Sequence, residues 1–109
     1  MFSNATCFAI TDTTPVSLGH MLIVPKRHAA TFFDLTSAEK RDMNSLVYEC
    51  KNYLDNLYKP DGYNIGCNCG IAAGQSISHC HCHLIPRYTG DTENPRGGIR
   101  GVIPERQNY

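Results

Sequence analysis

The sequence predicts an α+β domain, an antiparallel sheet with one long helix laid against it. Three observations lead there. Residues 36–58 alone carry apolar side chains at helical spacing over many turns. The remaining apolar runs are short and bounded by Pro, Gly and polar clusters, as strands are. The links between those runs have the length of hairpin connections. With 109 residues, 41% of them apolar, the chain has enough material for one core, so residues 1–109 read as one domain. There is no internal repeat, low-complexity tract or linker.

The elements follow in order. The segment ATCFAITDTTP (5–15) is β-branched and aromatic before it ends in a turn cluster, which makes it a strand and a loop. In HMLIVPKRH (20–28) an apolar run from Met21 to Val24 stops at Pro25, the pattern of a buried strand. Thr36 is a helix N-cap, and Glu39 three residues on completes a capping box. Met43, Leu46, Val47, Cys50, Leu54 and Leu57 then form an apolar stripe, while Glu39, Lys40, Asp42, Glu49, Lys51 and Asn52 belong to other faces. Pro60 and Gly62 stop this helix of about 20 residues. YNIGCNCG (63–70) is a further strand, and GIAAGQSIS (70–78) a small-residue turn. The last strand is expected over 79–85, closed by Pro86. The tail, 89–109, is rich in Gly, Pro and charge and reads as loop with one short strand at Gly101–Ile103.

Charge and cysteines narrow the function. Formal net charge is zero with histidine neutral, which excludes a generally basic surface for nucleic acid but not a nucleotide, for which a few local donors suffice. No apolar run has membrane-spanning length, and the first ten residues lack the pattern of a secretory signal. The six cysteines include two Cys-x-Cys pairs, Cys67/Cys69 and Cys80/Cys82. They are expected as reduced thiols, partly buried, in a cytoplasmic protein.

The chemistry concentrates in HCHCHLIPRY (79–88). Three of the five histidines alternate with cysteines there. On a strand, His79, His81 and His83 share one face, roughly 6–7 Å apart, while Cys80, Cys82 and Leu84 share the other. Imidazoles are neither preferred core residues nor strong strand formers, and grouping them costs free energy through desolvation and repulsion unless something uses them. Two uses stand open. One is zinc, in a metalloenzyme or a metal-binding protein, although the cysteines face away from the histidines and no carboxylate neighbours the motif. The other is nucleophilic catalysis, with a neutral imidazole attacking phosphorus and its neighbours stabilising phosphoryl oxygens and assisting the leaving group. The preceding turn, with Gly70, Gly74, Gln75, Ser76 and Ser78, supplies donors that suit anionic oxygens. A nucleotide-binding module without turnover is a third class of reading.

The stretch GQSISHCHCHLIPR (74–87) resembles the signature of the histidine triad family, in which three histidines alternate with apolar residues. The likeness extends through PVSLGHMLIVPKRH (15–28), YNIGCNCGIAAGQ (63–75) and PRGGIRGVIPE (95–105), and is similar to the small prokaryotic branch. The resemblance implies a five-stranded antiparallel sheet with one long and one short helix, in a homodimer whose sheets run on. It implies a nucleotide hydrolase acting at an α-phosphate, with a purine nucleotide joined to a leaving group: a dinucleoside polyphosphate, a phosphoramidate or an adenylate. By position His81 is the nucleophile, His79 and His83 flank it, and His20 supports the triad. Asn68, Gln75 and Ser76 match positions that contact phosphate or leaving group. Asp12 matches the ribose-binding carboxylate, and Ile10 and Phe8 the base pocket. No cofactor is implied, apart from Mg²⁺ accompanying polyphosphate substrates, and no protein-bound metal. His83 stands where a nucleotidyl-transferase branch has glutamine, and the chain lacks the tryptophan-bearing tail of the phosphoramidase branch. His28 reads as a surface or structural histidine.

Overall fold

The computed structural model describes residues 2–109. Its strands are β1 (Phe2–Ser3), β2 (Cys7–Thr11), β3 (Met21–Pro25), β4 (Gly62–Gly66) and β5 (Cys82–Arg87), with helix α1 (Ser37–Tyr58) between β3 and β4. They form one antiparallel sheet in the order β1-β2-β3-β5-β4. The short helices are 3₁₀ turns at Phe32–Asp34, Ile71–Ala73, Gly98–Val102 and Pro104–Arg106.

Alternation along the strands divides the sheet into two faces. Cys7, Ala9, Met21, Ile23, Cys82 and Leu84 point to α1 and are buried. Met43, Leu46, Cys50 and Leu54 meet them from the helix, at spacings of three and four that keep one stripe turned inward. Burying side chains of this kind is worth roughly 1.5–3 kcal/mol each for the larger ones, and this is the main source of the fold's stability. Phe8, Leu22, Val24, His83 and Ile85 point the other way and are only half-buried.

The helix begins as its sequence predicts. Thr36 accepts from the Glu39 N–H and the Glu39 carboxylate accepts from the Thr36 N–H. Two side chains differ from the expected stripe. Leu57 is exposed, beyond the edge of the sheet's cover. Glu39, expected on an outer face, is buried at the joint between β3 and α1, where it takes two hydrogen bonds from the Arg27 guanidinium at 3.0 and 2.9 Å. Arg27 and the capping bond hold its carboxyl down to about 2. A buried carboxylate is tolerated there because its oxygens are fully paired.

Three other expectations are corrected. The histidine strand starts at Cys82, not His79, because the Cys80 N–H goes to the Ala29 carbonyl at 2.7 Å rather than into a sheet ladder. The in-and-out alternation nevertheless continues back through His79. Pro86 does not close the strand, which runs to Arg87. The Pro86 carbonyl turns to the Ser17 hydroxyl at 2.5 Å. Its ring nitrogen faces the same side, so the missing N–H removes no ladder bond. The tail contains no strand at Gly101–Ile103. Gly97 and Gly98 adopt positive φ, Pro104 interrupts, and the chain coils into two 3₁₀ turns. The Gln107 amide donates to the Asn94 and Arg96 carbonyls, closing the tail on itself.

All six cysteines are free thiols, as expected. No helix among the described residues is long and apolar enough to cross a membrane.

Candidate active site

β5 and the segment before it place His81 and His83 on the open face, with ring centroids 5.0 Å apart. β3 brings His20 beside them, because Leu22 pairs directly with His83. The hydrogen bonds fix which nitrogen carries each proton, since a backbone N–H can only donate and a carbonyl only accept. The Val16 N–H donates to His20 Nδ1 at 3.0 Å, so neutral His20 carries its proton on Nε2. That Nε2–H donates to His83 Nδ1 at 2.9 Å, which leaves His83 with an outward Nε2–H. His81 has the opposite tautomer. Its Nδ1–H donates to the His79 carbonyl at 2.9 Å, so Nε2 keeps its lone pair. Two adjacent imidazoles thus offer a nucleophile and a donor.

Electrostatics support neutral rings. Burial pushes the His20 pKa down from the ordinary imidazole value, against the opposing pull of Asp12. Burial also lowers that of His83, assisted by His81 and His20. Asp12 Oδ2 lies 3.5 Å from His20 Nε2, while Oδ1 accepts from the Thr14 N–H at 2.9 Å. The Thr14 bond and the nearby histidines lower the Asp12 pKa. Sequence proximity showed no carboxylate beside the motif; the β2–β3 hairpin supplies one.

Asp12, His20 and His83 bring ligand-type atoms within 4.8 Å of one another. Hydrogen-bond accounting makes this trio a relay, because the facing nitrogens of the two rings already share a proton and neither offers the pocket a free lone pair. Cys80 and Cys82 lie behind the strand, and no cysteine sulfur joins these ligand atoms within that distance.

Two cavities flank the imidazole pair. One of about 250 Å³ is lined by Phe8, Ile10, Leu22, Val24, Ile77, His79 and His81. The other, about 290 Å³, lies beside His83 and His20 and is walled by Val16, Asn68, Ile85, Ile99 and Val102. The structure therefore joins Phe8, Ile10, His79 and His81 in one pocket, and His20, His83 and Asn68 in the other. Ser76 is exposed on the loop before the triad. Gln75 is committed to that loop: its carbonyl accepts from the Gly70 N–H, and its amino group donates to the Ala30 and Ile77 carbonyls. The His79 Nε2–H donates to the Pro25 carbonyl at 3.0 Å, and His28 packs edge-on against its ring at 5.0 Å.

Leu22, Val24, Ile77, Ile99 and Val102 were missed from sequence. The first two carry a legible signal, being the alternate residues of the β3 run, yet an apolar run does not say which of its two faces stays open. The tail residues carry none.

Residues 1–90 match the family model of the HIT domain. AP-4-A phosphorylase of Mycobacterium tuberculosis is 33% identical over 101 residues, covering 90% of this chain and 51% of that protein. Bis(5'-nucleosyl)-tetraphosphatase [asymmetrical] of Schizosaccharomyces pombe is 32% identical over 83 residues, covering 76% of this chain and 46% of that protein. This chain thus spans about half the length of both relatives. A crystal structure of a HIT family protein from Bacillus anthracis superposes with a TM-score of 0.80 at 29% identity, covering 97% of this chain and 77% of the other. With the motif, the fold and these likenesses in agreement, the chain belongs to the histidine triad family.

Proposed function

We propose that this protein hydrolyses a nucleoside monophosphate from a leaving group on its α-phosphorus, through a nucleotidyl-histidine at His81. One observation carries the reading: the His79 carbonyl holds the His81 Nδ1–H, so the Nε2 lone pair faces the site beside the His83 Nε2–H. Nε2 attacks phosphorus in line, the bond to the leaving group breaks, and a phosphorus–nitrogen bond forms. Water then attacks the same phosphorus and releases the monophosphate. His83 is a neutral donor to phosphoryl oxygens, oriented by the chain from the Val16 N–H through His20.

The apolar pocket of Phe8, Ile10, Leu22 and Val24 takes the base, with purines the expected fit. Asp12 follows Ile10 by two residues, on the same side of the strand, where it meets the ribose hydroxyls. Asn68 and Ser76 serve phosphate or leaving group, and Gln75 acts by holding their loop. The names of the two relatives support dinucleoside polyphosphates as the substrate class to test first. Asp12, the carboxylate beside His20, is already engaged by Thr14 and His20, so Mg²⁺ with a polyphosphate substrate would be carried by the substrate's own oxygens.

The free edge of β4 and the apolar groove between it and α1, lined by Phe32, Met43, Val47, Tyr48 and Ile65, support a homodimer in which the two sheets run on. Sedimentation tests that separately. For the chemistry, labelled dinucleoside polyphosphate is mixed with enzyme and quenched. An acid-labile nucleotidyl adduct on His81 is the expected result; normal turnover by His81→Ala would refute the assignment. Stoichiometric zinc whose removal abolishes activity would favour the Asp12–His20–His83 trio as a metal centre instead.

A further inference from the structure

The cysteines interleaved with the histidines have no part in that chemistry, yet their placement is not random. β4 and β5 pair in register from Gly62 opposite Arg87 to Gly66 opposite His83. One step further, Cys67 falls opposite Cys82. Directly opposed residues share a face, with Cβ atoms about 4.5–5.5 Å apart, and cross-strand separations of this size lie within reach of a disulfide. Continuing the register sets Cys69 opposite Cys80, so the two Cys-x-Cys stretches of the sequence are mutual partners. The side chains agree with this extrapolation. Cys67 packs on the buried core that contains Cys80 and Cys82.

Metal binding is the weaker use of these thiols. Among the described residues, three ligand atoms converge within 4.8 Å only at Asp12, His20 and His83. No three of the sulfurs gather within that distance. Cys67 is half-buried, the less shielded of the two residues, and borders the cavity beside His83.

We propose that Cys67 and Cys82 are a modification site, closing to a reversible disulfide under peroxide and impairing the active site when closed. One thiolate of the pair attacks a peroxide oxygen; the O–O bond breaks, a sulfenic acid forms, and the departing hydroxide takes up the thiol proton as water. The second thiol attacks the sulfenic sulfur, the S–S bond forms, and the hydroxyl leaves with the remaining proton as a second water. Two thiols lose two electrons and one peroxide is reduced to two waters. The neighbouring Cys82 thiol and burial raise the Cys67 pKa, while the Cys67 thiol lowers that of Cys82.

The effect on activity rests on the function proposed above; the disulfide does not. Cys82 stands between His81 and His83 in the chain. Drawing its sulfur from contact to a bond of about 2 Å displaces the segment that carries both rings, and misplacement by an ångström costs on the order of 10²-fold in rate.

The test treats the wild-type protein with hydrogen peroxide, alkylates free thiols, and maps linkages by digestion and tandem mass spectrometry, with nucleotide turnover followed in parallel. A Cys67–Cys82 linkage is expected, with turnover reduced about 10²-fold and restored by dithiothreitol. Cys67→Ala, compared with its own untreated form, is expected to keep its turnover through the same treatment. Absence of that linkage, linkage of another pair, or equal loss in Cys67→Ala overturns the proposal. A linkage found in protein that turns over no nucleotide upholds the disulfide and sinks the reading of function.

Discussion

The two faces of the sheet are made by alternate residues of the same strands, yet they have different tasks. On the covered face, Cys7, Met21, Ile23, Cys82 and Leu84 meet α1 and are almost fully shielded. On the open face, Leu22, Val24, His81, His83 and Ile85 stay half-exposed around two cavities. The chain from Cys80 to Leu84 changes purpose at every residue. Stability and chemistry are therefore separable by mutation, although they lie one peptide unit apart.

The largest contrast comes from one substitution on the open face and one in the layer that covers the other. His81→Ala should lower turnover by roughly 10³-fold or more through loss of the nucleophile, while nucleotide binding persists and the denaturation midpoint barely moves. Leu46→Ala should do the reverse, costing about 2–5 kcal/mol of stability in urea unfolding with kcat of the folded fraction unchanged. If Leu46→Ala instead lowers kcat at full folding, the two faces are coupled and the separation fails.

Gly19 sharpens the comparison because it lies where the faces meet. Its φ is +90°, and an added Cβ would stand 2.9 Å from Leu54 Cδ2 and 3.0 Å from the Tyr58 ring. Gly19→Ala is expected to cost about 1–3 kcal/mol. It should also reduce kcat by displacing His20, a double effect that neither face alone produces.

Acid should act on the faces at different pH. His20 and His83 have pKa values below the ordinary 6.5, so the unfolded chain binds more protons than the native one. Their contribution to stability is complete above that value and is lost as pH falls through their lowered pKa values. Activity should decline as the relay protonates at pH below 6.5. Glu39 responds later: its pKa falls from 4.5 to about 2, so the joint between β3 and α1 loosens only across that window. A pH–rate profile beside a pH–stability profile checks both, and activity that stays constant until the native fold is lost would contradict the assignment to histidine.

The smallest expected effect is Thr36→Ala, which removes the cap of α1 and should cost about 1 kcal/mol with no change in kcat. Thermal unfolding measures it.

Much of this was legible in the chain. The capping box at Thr36 and Glu39 uses neighbours three residues apart, so local chemistry reveals it. The triad's alternation survives even where the ladder does not, because backbone extension and strand pairing are different things; Cys80 keeps its inward direction while its N–H goes to Ala29. Glu39 was misplaced because its partner, Arg27, is brought to it by the turn of the chain between β3 and α1. The 3₁₀ turns of the tail were hidden because a Gly- and Pro-rich sequence admits several conformations, and contacts within the tail, Gln107 to Asn94 and Arg96, choose among them.

By itself the sequence determined which residues alternate, where the helix starts, and that three imidazoles share one side of an extended segment, since these depend on spacing along the chain and on local backbone geometry. Only the tertiary structure decided that His20 would reach His83, that Asp12 would stand beside them, and that Cys67 would pack on the core holding Cys80 and Cys82. Those pairings join separate strands, and register between strands is set by burying one whole face of the sheet against α1.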